Sequence, residues 1–310
     1  MFQKTIDFVG KKKLFFSISI ALVVITLIAS FVMGVRVDIE FSGGAILTYS
    51  YEGTVERADV EKTVESALGE QVNVQMSKDV QTGGSNVTIS IAQHGISAED
   101  HDALTQALRS AYPDSNFESA QISNVDATIG QEFFVKALLA VALAAVLMIV
   151  YIALRFKRIG GWTAGVTAVL ALVHDMFFVY AATLFCGFSI SSNFMAVILA
   201  ILGYSINNTI VIYDRVRENR RLHPGESLAE VVNISITQSL TRAVHTTVTT
   251  VTALAVICIV ALACGVSSIL SFAFPMIVGM LAGVFSSLCI VGPLWVTWEN
   301  YRAAKKAEQK

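Results

Sequence analysis

The sequence predicts a polytopic α-helical membrane protein with six spanning helices and one α+β domain outside the bilayer. Three observations lead there. Of 310 residues, 54% are hydrophobic and only 15% charged, with a mean hydropathy of +0.63, whereas soluble domains carry about 25% charged residues. The charges fall mostly in one block and a few short connections. Six apolar runs are long enough for a hydrocarbon core of about 30 Å, which takes about 20 helical residues.

The runs are Leu14–Val35, Phe133–Leu154, Gly161–Cys186, Ser191–Tyr213, Val244–Gly265 and Ile269–Gly292. The first is too long for the apolar segment of a cleaved leader, and a folded domain and five more runs follow it, so it reads as a retained span. Lys and Arg in short connections set orientation. Lys4, Lys11, Lys12 and Lys13 precede the first run, and Arg155, Lys157 and Arg158 follow the second. Arg215, Arg217, Arg220 and Arg221 follow the fourth, and Arg302, Lys305, Lys306 and Lys310 follow the sixth. With six crossings all four groups share one side, which places residues 1–13 and 293–310 in the cytoplasm. Trp162, Trp295 and Trp298 lie near span ends, as in an aromatic belt.

The block 36–130 is then extracytoplasmic. Between Asp38 and Asp126 it holds fifteen Asp and Glu against four Lys and Arg. Ala45–Tyr51 alternates like a strand, and Val55–Leu68 has helical spacing. Val72–Met76 and Val87–Ile91 alternate around Thr82-Gly83-Gly84-Ser85, a hairpin. Ser97 with Asp100 opens a helix that runs to about Tyr112 and stops at Pro113-Asp114. Phe117–Ile122 is a last strand. The order βαββαβ is the ferredoxin-like pattern. His94 and His101 read as surface residues. The net charge of −2 argues against a nucleic-acid partner. The four cysteines, all in apolar runs, form no metal or disulfide pattern.

Polar groups inside spans are functional candidates because a charge at mid-membrane costs about 2.5–3.5 kcal/mol. The third run carries His174-Asp175. The fourth carries Asn207-Asn208 and ends in Asp214-Arg215. The fifth opens with Arg242, His245 and a series of threonines. Together they suggest an ion track, with Arg242 as a long-reach partner for Asp175. Buried Asn and Thr also tie helices together, and Asp214-Arg215 also suits a solvated helix end. Gly161/Gly165 and Gly279/Gly283 have the spacing that lets helices approach closely, and Pro275 is expected to kink the sixth run.

Several motifs carry a resemblance. Val37-Asp38-Ile39-Glu40-Phe41-Ser42-Gly43-Gly44 resembles the Gly-Gly signature of the SecD/SecF family of protein-export membrane proteins. Ala171-Leu172-Val173-His174-Asp175 resembles the family's fourth-from-last span. The stretch Gly203-Tyr204-Ser205-Ile206-Asn207-Asn208 through Asp214-Arg215 to Asn219 is close to the signature of its SecF members, and Ser239-Leu240-Thr241-Arg242 with the Thr-rich run also matches. The resemblance implies a fold of the resistance–nodulation–division (RND) superfamily in the cell membrane and a SecD partner with a related membrane half. It also implies association with the SecYEG channel downstream of SecA, contact with the translocating polypeptide, and no covalent chemistry. No cofactor is implied, only a coupling ion, H⁺ or Na⁺.

One departure matters. Family members commonly carry Asn-Asp where this chain has Asn207-Asn208, and the Asp is the proposed proton carrier. Asn208 does not titrate, so the titrating group is expected in SecD or at Asp175, or the ion is Na⁺. A scaffold role with SecD alone carrying ions is the alternative. A remoter one is an intramembrane serine protease built on Ser205 with His174 or His245, although Ser205 lacks the glycine turn of such sites.

Overall fold

A computed structural model describes residues 5–70, 72–78, 84–92, 95–264 and 266–308. Lys4, His94 and Lys310, Thr82-Gly83 of the expected hairpin turn, and Gly265 at the expected end of the fifth span lie outside the described residues, as does the side chain of Arg158.

Helix α1 (Lys12–Met33) leads to a one-turn helix α2 (Ile39–Ser42) and then to the α+β domain. Its elements are β1 (Gly44–Tyr51), α3 (Arg57–Leu68), β2 (Val72–Lys78), β3 (Ser85–Ala92), α4 (Ala98–Ala111) and β4 (Glu118–Val125). The remaining helices are α5 (Ala127–Arg155), α6 (Gly161–Phe185), α7 (Ser192–Leu222), α8 (Leu228–Cys264) and α9 (Ser267–Ser286). A π-helical turn, Ser287–Val291, joins α9 to α10 (Gly292–Glu308). Among the described residues six helices are long and apolar enough to cross a membrane, α9, the π turn and α10 together making the sixth.

The sheet is antiparallel with order β2-β3-β1-β4, the ferredoxin-like arrangement. Alternation sends Leu47, Tyr49, Val74, Val87 and Ile89 inward against Val60 and Val64 of α3 and Leu104 and Leu108 of α4. Each such fully buried side chain contributes about 1.5–3 kcal/mol. Ser97 caps α4, accepting from Asp100 N at 3.1 Å, and Asp126 caps α5, accepting from Thr128 N at 2.8 Å. His101 is not the free surface residue expected: it stacks on Tyr49 and meets Ser119 Oγ at 3.2 Å.

In the membrane, close packing replaces the hydrophobic effect. A Cβ on Gly161 would lie 2.3 Å from Ala153 O, and one on Gly165 3.0 Å from Ile149 O, so this glycine pair seats α6 on α5. Gly279 performs the same service against Val179 and Ile201. The expected kink at Pro275 does not end α9, which runs through it. A π-helical irregularity also lies further on, just before Pro293, which lacks an N–H and crowds the carbonyl four residues back.

Two boundaries differ from the sequence expectation. Helix α7 continues past Tyr213, so Arg215, Arg217, Arg220 and Arg221 ride its last turns instead of a loop. Pairs within a turn sustain it, Arg217 to Asp214 at 2.8 Å and Arg215 to Glu218 at 2.6 Å. Helix α8 begins at Leu228, well before Val244, and packs on the α7 extension through Asn219, which donates to Ser235 Oγ and Gln238 Oε1 at 2.9 Å each. The N-terminal segment folds onto α8 too, Phe8 N and Val9 N both donating to Asn233 Oδ1 at 3.0 Å. Trp295 is no belt residue: it is fully buried, edge-on to Tyr213, its Nε1 donating to Thr163.

Candidate functional site

Two apolar clusters fill the helical bundle. One contains Leu172, Leu202, Ile206, Leu288 and Trp295, the other Val179, Ile198, Ile201 and Met280. Between them lies a thin polar layer centred on Asp175, whose side chain is fully buried. Asp175 Oδ2 accepts from Ser205 Oγ of α7 at 2.6 Å and from Ser286 Oγ of α9 at 2.8 Å. Oδ1 meets His174 Nδ1 at 3.0 Å. Neighbours on a helix point about 100° apart, yet the two side chains bend together here. Behind Ser205, Ser287 Oγ donates to Ser205 O at 3.3 Å and pairs with Thr209 Oγ1 at 3.1 Å. Gly283 makes room, since a Cβ there would stand 3.3 Å from Ser205 Oγ and 3.6 Å from Asp175 Oδ2. Three helices thus converge on one carboxyl.

Asn208, one turn from Ser205, is buried, and its Nδ2 has no hydrogen-bond partner among the described residues. The same is true of His174 Nε2, while the ring itself packs between Phe178 and Phe285. An unpaired ring nitrogen on the histidine that touches the buried carboxyl leaves hydrogen-bonding capacity there.

The other candidates are elsewhere. Asn207 points out of the bundle from the opposite side of α7. Arg242 does not reach Asp175, which takes its partners from α6, α7 and α9. Arg242 is exposed in the second quarter of the long α8, because that helix starts earlier than expected, and it lines a cleft of about 720 Å³ with Asp214 and Arg215. Asp214 sits between Arg155 at 3.1 Å and Arg217 at 2.8 Å, and Arg215 donates to Gln238 Oε1 at 2.6 Å. Tyr204 Oη meets Thr247 Oγ1 at 2.7 Å, tying α7 to α8.

The outward faces of α7 and α8 form an exposed polar stripe of Gly203, Asn207, Arg242, His245, Thr246 and Thr249. The threonines return their hydroxyls to their own helix, Thr246 to Arg242 O at 2.9 Å and Thr249 to His245 O at 3.1 Å. Among the described residues no side-chain partner meets Arg242 or His245. A stripe of this kind facing lipid is costly.

At the domain-bearing end, Asp38 caps α2, accepting from Glu40 N at 3.2 Å. Burial pushes the Asp38 carboxyl above its ordinary range, against that hydrogen bond. Gly43 closes α2 with φ +77°, and Gly44 lies so near Ile91 O that a Cβ would be 1.9 Å away, so both glycines are backbone requirements. Sequence reasoning missed Ser286 and Ser287 and marked Gly283 only for its packing spacing. The serines stood out in no pattern, because hydroxyls are common in spanning helices.

The family model for "Protein export membrane protein SecD/SecF, C-terminal" matches residues 104–301. Protein translocase subunit SecF of Sebaldella termitidis is 30% identical over 299 residues, 96% of this chain and 93% of that protein. Protein translocase subunit SecDF of Bacillus subtilis is 31% identical over 99% of this chain, which spans only 40% of that longer relative. The crystal structure of SecDF from Thermus thermophilus, described as a translocon-associated membrane protein, superposes with a TM-score of 0.79 at 29% identity. The match covers 97% of this chain and 40% of that one. A SecDF structure in a super-membrane-facing form gives a TM-score of 0.71 at 28% identity. A six-span bundle with a ferredoxin-like insertion, matched in this way, is a multi-pass membrane protein, and the chain belongs to the SecD/SecF family of protein export membrane proteins, among its SecF members.

Proposed function

We propose that this Sec translocation accessory subunit works beside a SecD partner in the cell membrane and uses the passage of an ion, H⁺ or Na⁺, to promote late steps of protein export. The observation that carries the reading is the convergence of α6, α7 and α9 on the buried Asp175. A carboxyl at that depth is costly unless neutralised, and a change in its occupancy bears on three helices at once. The groups of this layer, a carboxylate and serine hydroxyls, with the carboxamide of Asn208 one turn along α7, offer hard oxygen ligands that suit a proton or Na⁺. One charge crossing roughly 100 mV releases about 2.3 kcal/mol, and a two-state switch from 1:99 to 99:1 takes about 5.5 kcal/mol, so two ions come close to driving it.

The exposed polar stripe on α7 and α8 is the surface a related six-helix half would cover, with Arg242 supplied to the partner's side of the interface. The Lys and Arg distribution supports cytoplasmic termini and an α+β domain outside, where in this reading the emerging polypeptide leaves SecYEG after SecA has acted. The role in this reading is transport, in keeping with relatives named as protein translocase subunits, and the Ser205 hydroxyl is engaged with Asp175. The scaffold reading, with ions carried by SecD alone, draws its support from Asn208. Export measured in vesicles with SecD present, under a proton or a Na⁺ gradient imposed separately, tests the proposal. Export that ignores both gradients would overturn it.

A further inference from the structure

The geometry points to Glu40 as the positioning residue that holds the extracytoplasmic domain and the Asp175 layer in one mechanical unit. This inference rests on the ion-coupled reading above. Glu40 sits on α2, at the entrance to the domain, and its Oε2 accepts from Ser192 N at 2.9 Å, a contact between residues 152 apart. Ser192 is the first residue of α7. A helix N-terminus presents unpaired N–H groups and positive dipole, and the flanking Ser191 supplies no side-chain cap. The cap of α7 therefore comes from another part of the chain. Glu40 has no cation partner among the described residues, so its carboxylate is committed to that helix end.

The contact does not stand alone. Asp38 N donates to Ile190 O at 2.9 Å and Ile190 N to Arg36 O at 2.8 Å, a parallel bridge that stitches the entrance segment to the loop before α7. On its other side α2 is wedged against α5. Phe41 packs on Phe133 and Phe134, with centroids 5.6 and 5.2 Å apart, and a Cβ on Gly130 would stand 2.9 Å from Gly43 N. A rigid block thus joins the domain's entrance and exit to the top of α7. Along that helix Ser205 lies 13 residues beyond Ser192, roughly 20 Å at the α-helical rise, with unbroken helix between. Helix α7 is a rod with Glu40 at one end and the Asp175–Ser205 hydrogen bond near its middle. A shift of α7 at Ser205 is delivered to the domain through Glu40.

The test uses the complete complex with SecD, spin-labelled at the exposed Ser66 of the domain and at Gly225 in the connection between α7 and α8. With Glu40 intact, Asp175→Asn is expected to shift the distance distribution. Glu40→Gln keeps an acceptor at the same reach and should preserve the shift. Glu40→Asp keeps the charge but is one methylene short, and Glu40→Ala lacks the acceptor. Both should lose the shift and lower gradient-dependent export about tenfold, in line with a lost hydrogen bond to a charged group, while Asp175→Asn lacks gradient-dependent export in every background. A merely structural role would move stability in all three variants without singling out the response to Asp175. An unchanged shift in Glu40→Asp and Glu40→Ala overturns the inference and leaves the ion reading standing. No shift with Glu40 intact, while Asp175→Asn still blocks gradient-dependent export, does the same. Normal export by Asp175→Asn removes the ion reading and this inference with it.

Discussion

Ser205 Oγ donates to Asp175 Oδ2 across 2.6 Å, joining the middle of α7 to the middle of α6. Among the described residues the carboxyl has one further hydroxyl donor, Ser286. Ser205→Ala removes half of that support at a cost of about 1–3 kcal/mol. We expect the complex with SecD to assemble normally and its gradient-dependent export to fall about tenfold or more, read in vesicles. Export at the native rate would mean that the serine only fills space.

Two glycines separate packing from partnership. A Cβ on Gly279 would meet Val179 Cγ2 at 2.6 Å and Ile201 Cγ1 at 2.8 Å, whereas one on Gly203 meets nothing within 4 Å. Gly279→Ala should destabilise the isolated chain by about 1–3 kcal/mol through overpacking. Gly203→Ala should leave thermal melting unchanged yet weaken co-purification with SecD, because Gly203 lies in the exposed stripe. Equal melting of the two variants would contradict the packing.

Asp38 provides a pH signature outside the bilayer. Burial raises its carboxyl above the ordinary value, so its contribution to stability is fully present below the unfolded-state value and is lost as pH rises through the raised one. Asp38→Asn keeps an oxygen for Glu40 N and removes the charge. The variant should therefore melt higher than the parent at neutral pH, with the difference closing as the pH falls into the acidic range. A difference that is constant with pH would show that ionisation of Asp38 is not the cause.

Sidedness is open to direct labelling. A cysteine at Ser85, in the β2–β3 hairpin, should react with an impermeant reagent from outside intact cells. One at Gly225, between α7 and α8, should react only after the membrane is opened. Labelling of both from the same side would contradict a six-span arrangement.

Much of this was legible in the sequence because its signals are local. Alternation marked the strands, 3.6-residue spacing marked α3, and Ser97 and Asp100 marked the start of α4. The length of apolar runs marked the six spans. Ends governed by tertiary contacts were not legible: α7 and α8 outrun their apolar stretches because Asn219, Ser235 and Gln238 tie two polar helices together. The site was half legible. Asp175 stands out as a carboxyl in an apolar run, but Ser205 and Ser286 become its ligands only through the way α7 and α9 cross α6. Arg242, a reasonable partner by charge, lies on the outer face of α8. Glu40 looked like one more acidic residue of an acidic block until folding placed it at Ser192 N.

The central test is export by the complex carrying Asp175→Asn, in vesicles with SecD, under proton and Na⁺ gradients imposed one at a time, beside Asn208→Asp as a companion. The substitution at Asp175 should abolish the gradient-dependent part of export with assembly intact, and Asn208→Asp should be tolerated and move the dependence toward protons. Normal export by Asp175→Asn under both gradients would make the carboxyl a structural tie and place the ion path in SecD.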